Sequence, residues 1–199
     1  MSPRPDVSEA RKNQILDAAT SVFIRMGLHK ARVDDIAGEA NLSKGAVYWY
    51  FKSRDEIIIA ILDRLFEREF RGLRELQSND RPALERLEHF ITLTIEDIQE
   101  WMRLLPIAYE FLGLVFHKKF VQQSFRKYFQ TYTEHLTVII QQGIDNGELR
   151  PYDAKDAAIT LGAIIEGTIL LSIYDPDAVD IPKHIKTGTQ IYFDGLKVR

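Results

Sequence analysis

The sequence predicts an all-α protein of about nine helices. Three observations point there. Apolar residues recur every three to four positions along most of the 199-residue chain. No segment alternates apolar and polar residues convincingly enough to read as a strand. The breaks in the helical pattern fall on glycine, proline, asparagine and aspartate, the residues that end and start helices. An apolar fraction of 45% and a charged fraction of 28% fit an ordinary globular chain, long enough for one or two small domains.

The elements follow in order. Residues 1–7 carry Pro3 and Pro5 and read as an irregular tail. A first helix is expected over 8–26, with Ile15, Leu16, Ala19, Val22, Phe23 and Met26 on one face and Gly27 as its C-terminal stop. Two short helices around a tight turn occupy 33–51. A long helix over 54–77 carries the stripe Ile57, Ile58, Ile61, Leu62, Leu65, Phe66, Leu73 and Leu76. An amphipathic helix over 82–103 follows, and Pro106 is expected to separate it from a short apolar helix over 107–117. The remaining helices are expected over 119–145, stopped by Asn146 and Gly147, over 153–174, and over roughly 180–194, started by Asp180 and Pro182. There is no internal repeat.

Composition narrows the function. The chain has no cysteine, which excludes disulfides and thiol chemistry. No apolar run is expected to reach the roughly 20 residues that span a bilayer. The N-terminal residues lack the apolar core of a signal peptide, so a cytoplasmic protein with no membrane contact is expected. The histidines show no metal spacing, no nucleophile–base pair stands out, and no glycine loop would cradle phosphate. Neither an enzyme nor a cofactor is expected. Net charge is −3 overall, yet residues 1–54 hold nine Lys and Arg against six Asp and Glu, a net of +3. A basic head on an acidic body suits a nucleic-acid reader joined to something else. The expected division is a basic, DNA-reading head over 1–54 and a helical body over 55–199.

The stretch 33–51 carries the chemistry. Val33, Ile36, Ala37 and Ala40 fall on one helical face, with Asp34 and Asp35 at the positive end of the helix dipole. Asn41 tolerates the left-handed conformation that a turn needs. Ser43 is a good N-cap for the next helix. There Val47 and Phe51 share the inner face, leaving Lys44, Gly45, Tyr48, Trp49 and Tyr50 on the rest of the surface. A helix, a tight turn and a second helix form the unit that seats a helix in the DNA major groove. Lys44, Lys52 and Arg54 can neutralise phosphates, and the tyrosines offer a hydroxyl and a flat ring to backbone or base edge.

This stretch, with the helix before it, resembles the DNA-binding domain of the TetR family of bacterial transcription regulators. The resemblance rests on Asp35-Ile36-Ala37, Ser43-Lys44-Gly45, Tyr48-Trp49-Tyr50-Phe51-Lys52 and Glu56-Ile57, and covers roughly residues 8–60. The chain departs from the family pattern at Arg32, where Thr or Ser is frequent, and at Asn41, where Gly is frequent. The resemblance implies a homodimeric repressor that reads a palindromic operator in double-stranded DNA and responds to a small-molecule effector. It implies DNA contacts at Arg32, Ser43, Lys44, Gly45, Tyr48, Trp49, Tyr50, Lys52 and Arg54. It also implies an effector cavity in the body, for which the aromatic-rich region supplies Phe90, Trp101, Tyr109, Phe111, Phe116, Phe125, Tyr128 and Tyr132. Glu110, His117 and Glu166 are the polar candidates beside them. The last two helices, with small residues at Gly162, Ala163, Gly167 and Gly188, are the expected dimer surface. A second reading keeps the DNA-binding fold but makes another protein its main partner; it predicts no cavity and an exposed apolar patch.

Overall fold

The computed structural model describes residues 7–78 and 80–198, apart from some side chains inside α1, α4 and α5. Eight α-helices follow one another among them: α1 Val7–Met26, α2 Val33–Glu39, α3 Lys44–Tyr50, α4 Arg54–Gln77, α5 Ala83–Val115, α6 Lys119–Asp145, α7 Ala154–Tyr174 and α8 Ile181–Leu196. No strand is present among the described residues, only an isolated bridge between Leu149 and Lys197. The tail over residues 1–6 and the position of Asn79 lie outside the described residues.

Most helix ends sit where the sequence places them. Gly27 (φ +77°) and Gly147 (φ +73°) follow α1 and α6 in the left-handed region, where a Cβ is strained. Asp153 and Asp180 cap α7 and α8, their carboxylates accepting from the amides of Asp156 and Lys183 at 2.9 Å each. Such caps contribute about 1 kcal/mol apiece. Pro106 is the exception. The segments expected over 82–103 and 107–117 are one 33-residue helix, and Pro106 lies inside it. A proline removes one helical hydrogen bond and costs about 3 kcal/mol. Ile98 before it and Ile107 and Phe111 after it are buried.

The helix α7 also departs from expectation. It is 21 residues long and contains an 18-residue window of mean hydropathy 1.8, long and apolar enough by those measures to cross a membrane. Much of its apolar surface is open in the single chain: Leu170, Leu171, Ile173 and Tyr174 are all exposed.

The chain divides into two compact units, Met1–Glu67 with Met102–Arg126, and Arg68–Trp101 with Lys127–Arg199. The first contains α1–α3. Its core is built from Ile15, Val22, Phe23, Leu28, Ile36, Val47, Ile57 and Ile58, all at most 2% exposed. Gln14 clamps this core by donating to the Ala40 carbonyl at the end of α2 (2.7 Å). The second unit packs α7 on α8. There a Cβ on Gly188 would stand 2.9 Å from Ile164 Cγ2, so the close helix approach requires glycine. The amide of Ala83 at the start of α5 donates to Glu148 Oε2 (2.6 Å), a carboxylate at the positive end of a helix dipole.

Candidate nucleic-acid interface and ligand cavity

In the head, α2 and α3 are joined by the turn 40–43. Asn41 takes φ +53°, the single non-glycine residue with positive φ among those described, as its side chain permits. The Leu42 amide returns to the Ala37 carbonyl (2.9 Å). Ser43 then caps α3, its Oγ accepting from the Ala46 amide at 3.1 Å. This sets which way α3 faces. Val47 is fully buried and Phe51 5% exposed, whereas Tyr48 is 39% and Trp49 77% exposed. An indole that open to water gains nothing for the fold, and neighbouring Lys44, Gly45 and Lys52 are exposed as well.

The cations around α3 differ in how free they are. Lys44 Nζ pairs with Asp34 Oδ2 at 2.9 Å, and this contact raises the lysine pKa above its ordinary value. Both groups face solvent, so the ammonium can exchange the carboxylate for a phosphate. Arg32 is exposed at the start of α2, where its amide donates to Asp35 Oδ2 (2.8 Å). Lys52 is exposed while its amide donates to Glu56 Oε2. Tyr50 is half-buried. Arg54 turns inward: its guanidinium lies 5.8 Å from the centre of the Phe23 ring, and its Nε is buried without a hydrogen bond. Arg54, expected at phosphate, also packs on Phe23, because a planar, weakly hydrated guanidinium stacks well on an aromatic face.

The aromatic-rich region resolves into two places. A cavity of about 180 Å³ lies in the second unit, lined by Tyr128, Phe129 and Tyr132 of α6 and by Ile159, Gly162, Ala163, Ile165 and Glu166 of α7. Tyr128 stacks on Phe70 (5.6 Å between centroids) and Tyr132 leans on Phe90 (5.9 Å), so Phe90 backs the wall without lining it. Gly162 leaves room for Tyr132: a Cβ there would stand 3.1 Å from the ring, a tight contact. Glu166 is the one charged residue of the lining. Its carboxyl is pushed up by the dense apolar surroundings, although the side chain remains exposed in the single chain.

Three of the expected ligand residues therefore meet in the cavity: Tyr128, Tyr132 and Glu166. Phe111 is fully buried in the first unit, Phe125 is packed edge-on against Phe66, and Tyr109 belongs to that unit too. Phe116 is 86% exposed and His117 is exposed. The Trp101 side chain lies outside the described residues. Glu110 binds the backbone: its Oε2 accepts from the Leu28 amide at 2.6 Å. Ile159, Ile165 and Phe129 were missed because any amphipathic helix carries such residues. Gly162 and Ala163, expected at a dimer surface, also line the cavity.

With this geometry in hand, similarity to known proteins is decisive. Residues 15–61 match the family described as bacterial regulatory proteins of the tetR family, and residues 83–190 match the C-terminal domain of BetI-type transcriptional repressors. The chain belongs to the TetR family. It is a DNA-binding transcriptional regulator and not an enzyme. The HTH-type transcriptional regulator TtgR of Pseudomonas putida is 25% identical over 96% of this chain and 93% of its own length. A TetR regulator from Haloarcula marismortui superposes with a TM-score of 0.85 at 23% identity, covering 96% of this chain and all of that one (100%). SmeT, the repressor of the Stenotrophomonas maltophilia efflux pump SmeDEF, superposes with a TM-score of 0.80 at 22% identity over 97% of this chain and 93% of its own. SmeT has also been solved in complex with triclosan.

Proposed function

We propose that this TetR-family regulator is a cytoplasmic repressor that leaves a palindromic operator when a small apolar or aromatic molecule enters the cavity between α6 and α7. The observation that carries the DNA half is the split face of α3: Val47 and Phe51 inward, Tyr48 and Trp49 outward beside Lys44. Lys44, Gly45, Tyr48 and Trp49 read the groove, while Arg32, Ser43, Tyr50 and Lys52 hold backbone. Residues 1–54 do the reading and 55–199 the sensing and pairing. The effector half is supported by the aromatic lining and by the single carboxylate within it. The triclosan complex of SmeT supports an apolar, aromatic occupant.

Two copies are needed for a palindrome, and the exposed apolar surface of α7 and α8 supports pairing there. Leu171, Tyr174 and Ile191 are 53%, 71% and 69% exposed, which a second copy would cover. The test is binding to the DNA beside its own gene across a salt series. Selective binding at least about a thousandfold over random DNA is expected, with release on adding a cavity-filling aromatic compound. Equal affinity for both DNAs would overturn the reading.

A further inference from the structure

The residues of the first compact unit include a segment that neither the helix-turn-helix nor its flanking helices contain. Met102–Arg126, the C-terminal part of α5 and the start of α6, clusters with Met1–Glu67. Contacts among the described residues join them. Phe125 meets Phe66 edge-on (5.6 Å), Lys118 pairs with Asp55 at 3.4 Å on the surface, and Glu110 Oε2 accepts the Leu28 amide at 2.6 Å. Of these, the Glu110 contact ends on the loop that leads into α2.

The chemistry of that contact is specific. The Gly27 amide closes α1 in the ordinary way, donating to the Phe23 carbonyl (2.8 Å). The next amide, of Leu28, commonly returns to a carbonyl of the same helix. Here it donates instead to a carboxylate 82 positions away in sequence. A charge-assisted bond of this length is about twice as strong as a neutral one. Gly27 is shaped to it: φ is +77°, and a Cβ would stand 3.1 Å from Glu110 Oε1. The Leu28 side chain is 2% exposed, so the loop is fixed at both its backbone and its side chain.

We propose that Glu110 is a positioning residue for DNA recognition, capping α1 from α5 and so fixing the loop 27–32 that sets the seat of α2 and α3. The helix-turn-helix then depends for its aim on a residue of the C-terminal region. A misplacement of α3 by a fraction of its side-chain length weakens base contacts more than phosphate contacts, because base edges demand direction and phosphates do not.

The test uses the full chain with DNA selected from a random pool, and with random DNA as the reference. Hydrogen exchange at the Leu28 amide is read in parallel. In Glu110→Ala, exchange at Leu28 should accelerate while Gly27 stays protected, and selectivity for the chosen DNA over random DNA should fall about tenfold, the scale of one charge-assisted hydrogen bond. Random-DNA affinity should hold. Glu110→Gln keeps an uncharged acceptor and should be intermediate in both readouts, which decides the matter if the alanine variant fails to fold. Unchanged Leu28 exchange, or unchanged selectivity in Glu110→Ala and Glu110→Gln, overturns the proposal. So does an equal fall in affinity for both DNAs.

Discussion

The head and the cavity use aromatic side chains in opposite ways. In α3 and its C-cap the aromatics are consecutive in sequence yet face different ways: Phe51 is buried, while Tyr48 and Trp49 face water. Trp49 is left 77% exposed by the described residues. In the cavity the aromatics lie on one face of α6, and their neighbours come from α7, some 30 positions later. There Tyr132 is 7% exposed and serves both the core, through Phe90, and the cavity wall. A surface made by one helix can be altered without harm to the fold, whereas a wall shared with the core cannot.

That contrast can be broken by mutation. The largest expected effect is on stability. Phe23→Ala removes a ring that is 1% exposed and the seat of Arg54, and should cost about 3–5 kcal/mol in denaturant unfolding. Tyr132→Ala should cost about 2–4 kcal/mol and also enlarge the cavity, so a change in effector affinity should accompany it, measured by calorimetry. Ser43→Ala removes the α3 cap and should cost about 1 kcal/mol.

Smaller effects sharpen the comparison. Lys44→Ala should leave the melting temperature unchanged, because the pair with Asp34 is exposed. It should instead weaken binding to the selected DNA more than to random DNA, as expected of a side chain in the groove, whereas Lys52→Ala should weaken binding to all DNA and lower the salt slope by about one. Glu166→Gln tests the cavity. The folded-state pKa of Glu166 is raised, so its contribution to stability is full below the ordinary carboxylate range and is lost as pH rises through the raised value. At neutral pH Glu166→Gln should melt slightly above the unaltered protein, and the gap should close in acid. A gap that widens in acid would mean the carboxylate is held by an opposite charge.

How much could be read in advance follows the same line. The helix-turn-helix was readable because its determinants are local: Asn41 supplies φ +53°, Ser43 the cap, and Val47 and Phe51 the inner face, all within eleven residues. The cavity was readable only in part. Tyr128, Tyr132 and Glu166 were expected in it, but Phe116 and Phe125 have the same composition and lie elsewhere. Arg54 has the look of a phosphate ligand, and its packing on Phe23 leaves no local sign.

The sequence alone determined where most helices begin and end, which face of α3 turns to water, and which family the head resembles, since each depends on periodicity, caps and spacing along a short run of chain. Only the tertiary structure decided that Pro106 lies within one helix, that Gly162 admits the Tyr132 ring, and that Glu110 holds the Leu28 amide and stays out of the cavity. The physical reason is distance along the chain: a hydrogen bond between positions 28 and 110 leaves no periodic trace, because either residue alone is what any exposed loop or helix face would carry.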